Sequence, residues 1–137
     1  MLFIDSNIWC YYFNMGCKEH AKVVSYLDKI LKQEQIIINT VVIIEVAHYL
    51  IKNLGFAGKE KVNILLNLPF KVIDFDYEQV KQSVNFLDKF STTGTGIGGR
   101  DATLLAAMAK AGTNSIVTND SSFNHIKGIK VINPITR

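Results

Sequence analysis

Apolar residues occur along the chain in short runs, separated by longer segments in which apolar positions recur with a helical period. The short runs are typical of buried β-strands and read MLFID, QIIIN, FKVIDF, SIVTN and KVIN. The segment KEHAKVVSYLDKILKQ shows the helical period, with a stripe formed by Val23, Val24, Leu27, Ile30 and Leu31. Strands of this length that alternate with helices predict βαβ units, and therefore an α/β fold around a parallel sheet of about five strands.

Capping residues indicate where the longer helices begin and end. NTVVIIEVAHYLIKNLG predicts a helix with Asn39 or Thr40 as N-cap that ends before Gly55. DATLLAAMAKAG predicts an almost entirely apolar helix, with Asp101 at its N-cap or in its first turn and Gly112 at its end. Shorter helices are predicted over SNIWCYYFN and AGKEKVNILLNLP. In DYEQVKQSVNFLDKF the period predicts an apolar face formed by Tyr77, Val80, Val84 and Leu87.

Four carboxylates lie in stretches that are otherwise apolar or small: Asp5, Glu45, Asp101 and Asp120. Apolar flanks predict burial, and a buried carboxylate is costly unless it is paired or binds a metal ion. Asp5 and Asp120 follow predicted strands, whereas Glu45 and Asp101 lie near the beginnings of predicted helices. Because ligands bind at the carboxyl ends of parallel strands, all four are expected to converge at one rim and to share a divalent cation.

Three of the four carboxylates could instead have a purely structural role, which would require no metal. Asp5 could cap the helix that begins near Asn7, Asp101 could cap its own helix, and Asp120 could stabilise a turn. Glu45 has no such local role, because it is predicted to lie within a helix among valines and isoleucines.

The glycine-rich loop STTGTGIGGR contains a G-x-G-x-x-G pattern formed by Gly94, Gly96 and Gly99. A dinucleotide-binding fingerprint requires a preceding strand, whereas this loop follows a predicted helix that ends near Phe90. A flexible lid over the acidic site is the better interpretation. Arg100 at the end of the loop suits a contact with a substrate phosphate, or it is a solvated loop cation.

Length and composition fit one globular domain. The chain has 137 residues, of which 48% are hydrophobic and 20% charged, with a net charge of +3. The scattered basic residues are compatible with a nucleic-acid substrate but do not indicate one. No apolar run reaches the roughly 18 residues of a membrane span, and the first residues lack the basic region of a signal peptide. A cytoplasmic protein without a membrane partner is therefore expected.

Four segments resemble the motifs of PIN-domain ribonucleases, in the family's order and across essentially the whole chain: FIDSNIW, IIEVAHYL, GGRDATLLAAMA and IVTNDSSF. That family includes the VapC toxins of prokaryotic toxin–antitoxin pairs. The resemblance implies that residues 1–137 form a single PIN-like nuclease domain with a three-layer α/β/α fold. It also implies a divalent-metal-dependent endoribonuclease that cleaves single-stranded RNA and leaves a 5′-phosphate and a 3′-hydroxyl. Its implied partners are the RNA substrate, a small antitoxin and a second copy in a homodimer.

Residue by residue, the resemblance implies that the four carboxylates named above are catalytic and hold one or two Mg²⁺ or Mn²⁺ ions. Ser6, Asn7, Thr118 and Asn119 match small polar positions that support the site, and Asn119 could take the place of Asp120 beside the metal. Many family members carry a further acid shortly before the third carboxylate, where this chain has Gly98, Gly99 and Arg100. A second metal site could therefore be weak.

Two alternatives remain open. The chain could be a non-catalytic PIN-like module that binds RNA or protein. It could also be a phosphatase or phosphotransferase of another doubly wound fold, with Asp5 as nucleophile. DSNIW lacks the second Asp that such enzymes commonly carry two residues after the nucleophile.

Overall fold

The computed structural model describes residues 1–91 and 96–136, and within these ranges the chain forms five β-strands and six α-helices. The strands are β1 Leu2–Ile4, β2 Ile36–Asn39, β3 Lys71–Ile73, β4 Ser115–Val117 and β5 Lys130–Ile132. The helices are α1 Ser6–Phe13, α2 His20–Ile30, α3 Thr40–Leu54, α4 Phe56–Leu66, α5 Tyr77–Ser91 and α6 Gly99–Ala111. A short 3-10 helix covers Ser121–His125. The centre of the predicted lid, including Gly94, lies outside the described residues.

All strands are parallel and lie in the order β3-β2-β1-β4-β5. The connections from β1 to β2 and from β2 to β3 run in one direction across the sheet, whereas the connection from β3 to β4 runs back. Because such crossovers are right-handed, α1–α4 cover one face of the sheet and α5 and α6 the other. Contacts agree with this division, since α1 packs on α2 and α3, α3 on α4, and α5 on α6. The predicted three-layer α/β/α fold is confirmed.

The core lies on both faces of the central strands. Phe3, Ile4, Ile37 and Ile116 on these strands are fully buried, which explains why the strand sequences are continuous apolar runs. Helix α6 contacts both β2 and β3 and buries most of its residues, so its nearly uniform apolar sequence follows from its position between the sheet and α5.

Helix α3 begins and ends where its capping residues predict. The side chain of Asn39 accepts a hydrogen bond of 2.9 Å from the Val42 amide, and Gly55 closes the helix with a φ of 58°. Because this cap fixes the first turn, it also fixes where Glu45 projects, in the second turn.

The apolar face predicted for α5 does not pack into the core. Tyr77, Val80 and Val84 are exposed, whereas Gln79 and Ser83 are buried on the side that faces α6. The buried polar groups have local partners that permit this: Gln79 Nε2 donates to the Ala106 carbonyl, and Ser83 Oγ donates to the Gln79 carbonyl. Apolar periodicity alone could not distinguish a core face from an exposed apolar stripe.

None of the helices in the described ranges has both the length and the apolar composition that a bilayer crossing requires.

Candidate active site

The sheet has its topological switch point between β1 and β4, where the connections leave in opposite directions. Asp5 directly follows β1 and is completely buried there. One of its carboxylate oxygens, Oδ1, caps α1 by accepting from the Ser6 amide at 2.6 Å, and the other accepts from the Thr118 hydroxyl at 2.7 Å. The capping explanation for Asp5 is therefore correct, but it accounts for only part of the contacts that this carboxylate makes.

Two further carboxylates reach the same rim from opposite sides of the sheet. Glu45 projects from α3, and Asp101 lies in the first turn of α6, which Gly98 caps. The structure does not bury them equally. The Glu45 side chain is 37% exposed and that of Asp101 is 14% exposed, whereas that of Asp5 is fully enclosed. The expectation of burial is met fully by Asp5 and partly by the other two.

Arg100 lies at the centre of these three carboxylates. Because α6 begins at Gly99, Arg100 is a helical residue and not a solvated loop cation. Its Nε donates to both oxygens of Glu45, at 3.0 and 3.1 Å. Its Nη1 lies 3.5 Å from Asp5 Oδ2 and 3.4 Å from Asp101 Oδ1.

The remaining guanidinium nitrogen, Nη2, donates to Asp5 Oδ1 and to Ser6 Oγ, the latter at 2.7 Å. A guanidinium group has five N–H donors on three nitrogens, and here every nitrogen has acceptors inside the cluster. In this arrangement Arg100 has no donor left for a substrate phosphate, so the predicted phosphate contact requires the side chain to leave the cluster.

The electrostatics of the rim reflect the crowding of charge. Burial lowers the pKa of the Arg100 guanidinium, but hydrogen bonds and charge from Asp5, together with Glu45, outweigh burial and raise it overall. The pKa of the Asp101 carboxyl is raised, first by burial and then by the negative charge of Asp120. Three carboxylates contact a single guanidinium, so the formal negative charge at the rim exceeds what Arg100 can balance.

The fourth carboxylate, Asp120, lies beside this group without touching Arg100. Its Oδ1 caps the 3-10 helix by accepting from the Ser122 amide at 2.9 Å, so the turn explanation also holds. Its charge acts on Asp101, which in turn accepts from Ser122 Oγ at 3.4 Å. The Asn119 side chain instead accepts from Asn133 Nδ2 at 2.9 Å. The structure therefore places Asp120, and not the Asn119 side chain, on the Asp101 side of the rim.

The predicted supporting residues form a network around Asp5. The Thr118 hydroxyl, which donates to Asp5, accepts from Asn7 Nδ2 at 3.2 Å and from the Asp120 amide at 3.0 Å. The side-chain oxygen of Asn7, Oδ1, accepts from the Asn119 backbone amide at 3.2 Å. This network holds the segments after β1 and β4 together and leaves Asp5 little freedom to rotate.

Ser122 is a site residue that the sequence analysis missed. The signal lay in the polar run after SIV, where a second hydroxyl follows the predicted fourth acid by two residues. The internal role of Arg100 was also missed, because an arginine at the end of a glycine-rich loop gives no sequence signal for pairing with residues 55 and 95 positions away.

A cavity of about 500 Å³ opens beside Asp120 at the same edge of the sheet. Hydroxyl and amide side chains dominate its lining, among them Ser121, Asn124, Asn133 and Thr136. Such groups can donate and accept hydrogen bonds without adding charge, which suits a polar ligand larger than a metal ion.

The carboxylates alone do not form a ready-made metal cage. Among the residues that the structure describes, no three Asp, Glu, His or Cys side chains lie close enough together to hold a metal ion. The cause is visible in the contacts, since the Arg100 guanidinium separates Asp5, Glu45 and Asp101. The donors themselves fit a hard divalent ion, because all are carboxylate oxygens that already surround a cation.

Comparison with known proteins agrees with the geometry. The family model described as PIN domain matches residues 2–129. No curated protein matches the chain in a sequence search.

Solved structures share the fold over nearly the full length. VapBC2 from Rickettsia felis, bound to a DNA fragment from its promoter, is 21% identical with a TM-score of 0.77, covering 97% of this chain and 98% of that one. Mycobacterium tuberculosis VapC20, a Sarcin-Ricin loop cleaving toxin, is 21% identical with a TM-score of 0.75, covering 90% and 93%. FitAcB from Neisseria gonorrhoeae is 21% identical with a TM-score of 0.73, covering 98% of each chain.

Proposed function

Since the chain belongs to the PIN domain family, we propose that it is a divalent-metal-dependent endoribonuclease that cleaves single-stranded RNA. The observation that carries this proposal is the convergence of carboxylates from three distant parts of the chain around one cation at the switch point. The three carboxylates come from the residue after β1, from α3 and from α6, so local capping does not explain why they meet. Ligand sites of doubly wound sheets lie at this position.

The cofactor in this proposal is Mg²⁺ or Mn²⁺, as one or two ions held by Asp5, Glu45, Asp101 and Asp120. When bound, such an ion activates a water molecule and neutralises charge on a phosphodiester. The excess negative charge at the rim supports a further cation. The excess follows from the contacts, since three carboxylates share the one positive charge of Arg100.

The protein's own contribution is positioning. Thr118 and Asn7 fix Asp5. Ser122 links the other two acids, because its hydroxyl donates to Asp101 and its amide donates to Asp120, the N-cap of the 3-10 helix. The hydroxyl- and amide-lined cavity beside Asp120 accommodates part of the RNA. Hydrolysis then leaves a 5′-phosphate and a 3′-hydroxyl.

The test is cleavage of a single-stranded RNA with Mg²⁺ or Mn²⁺, compared with EDTA and with the variants Asp5→Asn and Asp101→Asn. We expect a loss of at least about a hundredfold in each, because charge neutralisation is the main catalytic term. Asp74→Asn is the matched control, since Asp74 is an exposed carboxylate that is not among the acids paired with Arg100. Equal activity under all conditions would contradict the proposal.

One observation favours the alternative of a non-catalytic module that binds RNA or protein. Arg100 already neutralises part of the carboxylate cluster, so these acids have a positively charged partner without a metal. Isothermal titration that detects RNA binding but no binding of divalent ions would favour this alternative.

The proposed biological setting is a toxin–antitoxin pair, with a small antitoxin as partner and a homodimer as the assembly. The similarity to VapBC and FitAB complexes supports this setting. The exposed apolar stripe of α5, formed by Tyr77, Val80 and Val84, supplies a surface suited to a protein partner. The setting predicts growth arrest on expression of this chain alone and rescue by the product of an adjacent short gene.

A further inference from the structure

Arg100 makes contacts in the carboxylate cluster that a metal ion would also need. We infer that Arg100 is an internal cation that occupies the cluster in the metal-free protein and leaves it when a divalent ion binds. This inference rests on the proposed function, because it concerns the ion that the four carboxylates are proposed to hold. It deepens that proposal by assigning Arg100 a role in regulating access to the site.

The first step is competition for the same oxygen atoms. Arg100 takes both oxygens of Glu45, both oxygens of Asp5 and one oxygen of Asp101. A divalent cation that used these oxygens would lie against a guanidinium of like charge. The two cations therefore exclude one another from the centre of the cluster.

The second step concerns the space that the Arg100 side chain could occupy outside the cluster. Arg100 is 31% exposed, on a long side chain with several rotatable bonds. It lies in the first turn of α6, and a Cβ built on Gly98 or Gly99 would meet no atom of the described residues within 4 Å. Open space thus borders the backbone on its N-terminal side.

The third step concerns the hydrogen-bond donors of Arg100 that become free when its side chain leaves the cluster. A guanidinium that leaves the cluster stays tethered beside Asp101, with its five donors free. That is the state in which Arg100 can form the phosphate contact predicted from the sequence. One residue thereby couples metal binding to the appearance of a phosphate-binding group at the rim.

The test is titration of Mn²⁺ alone into the wild-type protein and into Arg100→Gln by calorimetry. We expect Arg100→Gln to bind Mn²⁺ at least about tenfold more tightly, because the competing charge-assisted hydrogen bonds are removed. Lys110→Gln is the matched control, since it removes one positive charge from the last turn of the same helix and should leave the affinity within about twofold. Arg100→Lys should fall between wild type and Arg100→Gln.

Equal or weaker Mn²⁺ binding by Arg100→Gln, or no binding at all, would overturn the inference. The metal-free variant should also melt at a lower temperature than wild type, because three carboxylates then repel one another, and Mn²⁺ should restore it. Unchanged melting of the metal-free variant would equally speak against an internal cation.

A measurement on the wild-type protein tests the inference even if the variants do not fold. The sequence contains two arginines, Arg100 and Arg137, so a ¹⁵N spectrum of the arginine Nε–H groups is simple. We expect the Arg100 signal to exchange slowly with water in the metal-free protein, then to shift and exchange faster as Mg²⁺ is added. An unmoved, slowly exchanging signal at saturating Mg²⁺ would overturn the inference.

These results separate the inference from the proposed function. Tighter Mn²⁺ binding by Arg100→Gln without any RNA cleavage by wild type would defeat the nuclease proposal and leave the role of Arg100 standing. Metal-dependent cleavage by wild type, with no gain in Mn²⁺ affinity for Arg100→Gln, would overturn the inference about Arg100 and leave the nuclease proposal standing.

Discussion

The hydroxyl of Thr118 donates a hydrogen bond of 2.7 Å to the Oδ2 atom of Asp5. Both residues are fully buried, and they follow β4 and β1, the two strands that flank the switch point. The bond therefore joins the two halves of the sheet at the position where a ligand site is expected. It also fixes the orientation of the carboxylate that contacts Arg100.

Replacement of Thr118 by Val keeps the shape of the side chain and removes this donor. We expect a loss of about 1–3 kcal/mol in the free energy of unfolding, because a buried carboxylate oxygen loses its shortest hydrogen bond and keeps only contacts of 3.5 Å. Urea denaturation measures this loss. Thr118→Ser keeps the hydroxyl and should lose less than half as much; equal losses for Val and Ser would show that packing of the methyl group, and not the hydrogen bond, is responsible.

The sequence was sufficient to predict the order and type of the elements, because each depends on local pattern. The continuous apolar strands, the Asn39 cap and the Gly55 end of α3 were all predicted correctly. The buried side of α5 was not predicted, since it is formed by polar residues that find partners on α6 and in the preceding turn of their own helix. Whether a polar residue is buried depends on such tertiary partners, which periodicity does not reveal.

The site likewise combines features that local sequence patterns predict with features that depend on tertiary contacts. That four carboxylates would lie at one rim followed from strand ends and helix starts, which are local features. That Arg100 would lie between Glu45 and Asp101 depended on where α6 begins and on a side chain reaching across the switch point. No local pattern carries that information.

The raised pKa of Asp101 leads to a prediction about stability and pH. Burial, followed by the charge of Asp120, raises the folded-state pKa above that of the unfolded chain. The ionised carboxylate therefore opposes folding at neutral pH, and the opposition disappears as falling pH protonates it. Asp101→Asn should stabilise the metal-free protein at pH 7, by on the order of 1 kcal/mol or less.

The measurement is urea denaturation of both proteins, without metal, at pH 7 and near pH 4. The gain in the free energy of unfolding from Asp101→Asn should be smaller near pH 4, since roughly half of an unperturbed Asp is already neutral there. An advantage that grew on acidification would contradict the sign of this argument.

Gly58 allows α4 to approach the end of α3 closely. A Cβ at this position would collide with the backbone carbonyl of Leu50, which cannot move without distorting α3. We therefore expect Gly58→Ala to destabilise the protein by about 1–3 kcal/mol, despite the better helix propensity of alanine. Thermal unfolding tests this, with Gly99→Ala as control because a Cβ there meets no atom within 4 Å in the part of the chain that the structure describes. If both substitutions stabilised the protein, the close contact between α3 and α4 would be refuted.

Either Asp120 or Asn119 could be the fourth residue of the site, and their side chains lie in different surroundings. Asp120 acts electrostatically on Asp101, whereas the Asn119 side chain pairs with Asn133 on the far side of the rim. In the proposed nuclease, Asp120→Asn should therefore reduce Mn²⁺ affinity and RNA cleavage by about tenfold or more, since it removes one negative charge from the cluster. Asn119→Ala should cause a clearly smaller loss, because its backbone amide still donates to Asn7. Calorimetry and RNA cleavage on the two variants decide the question, and a larger effect from Asn119→Ala would assign the fourth position to Asn119.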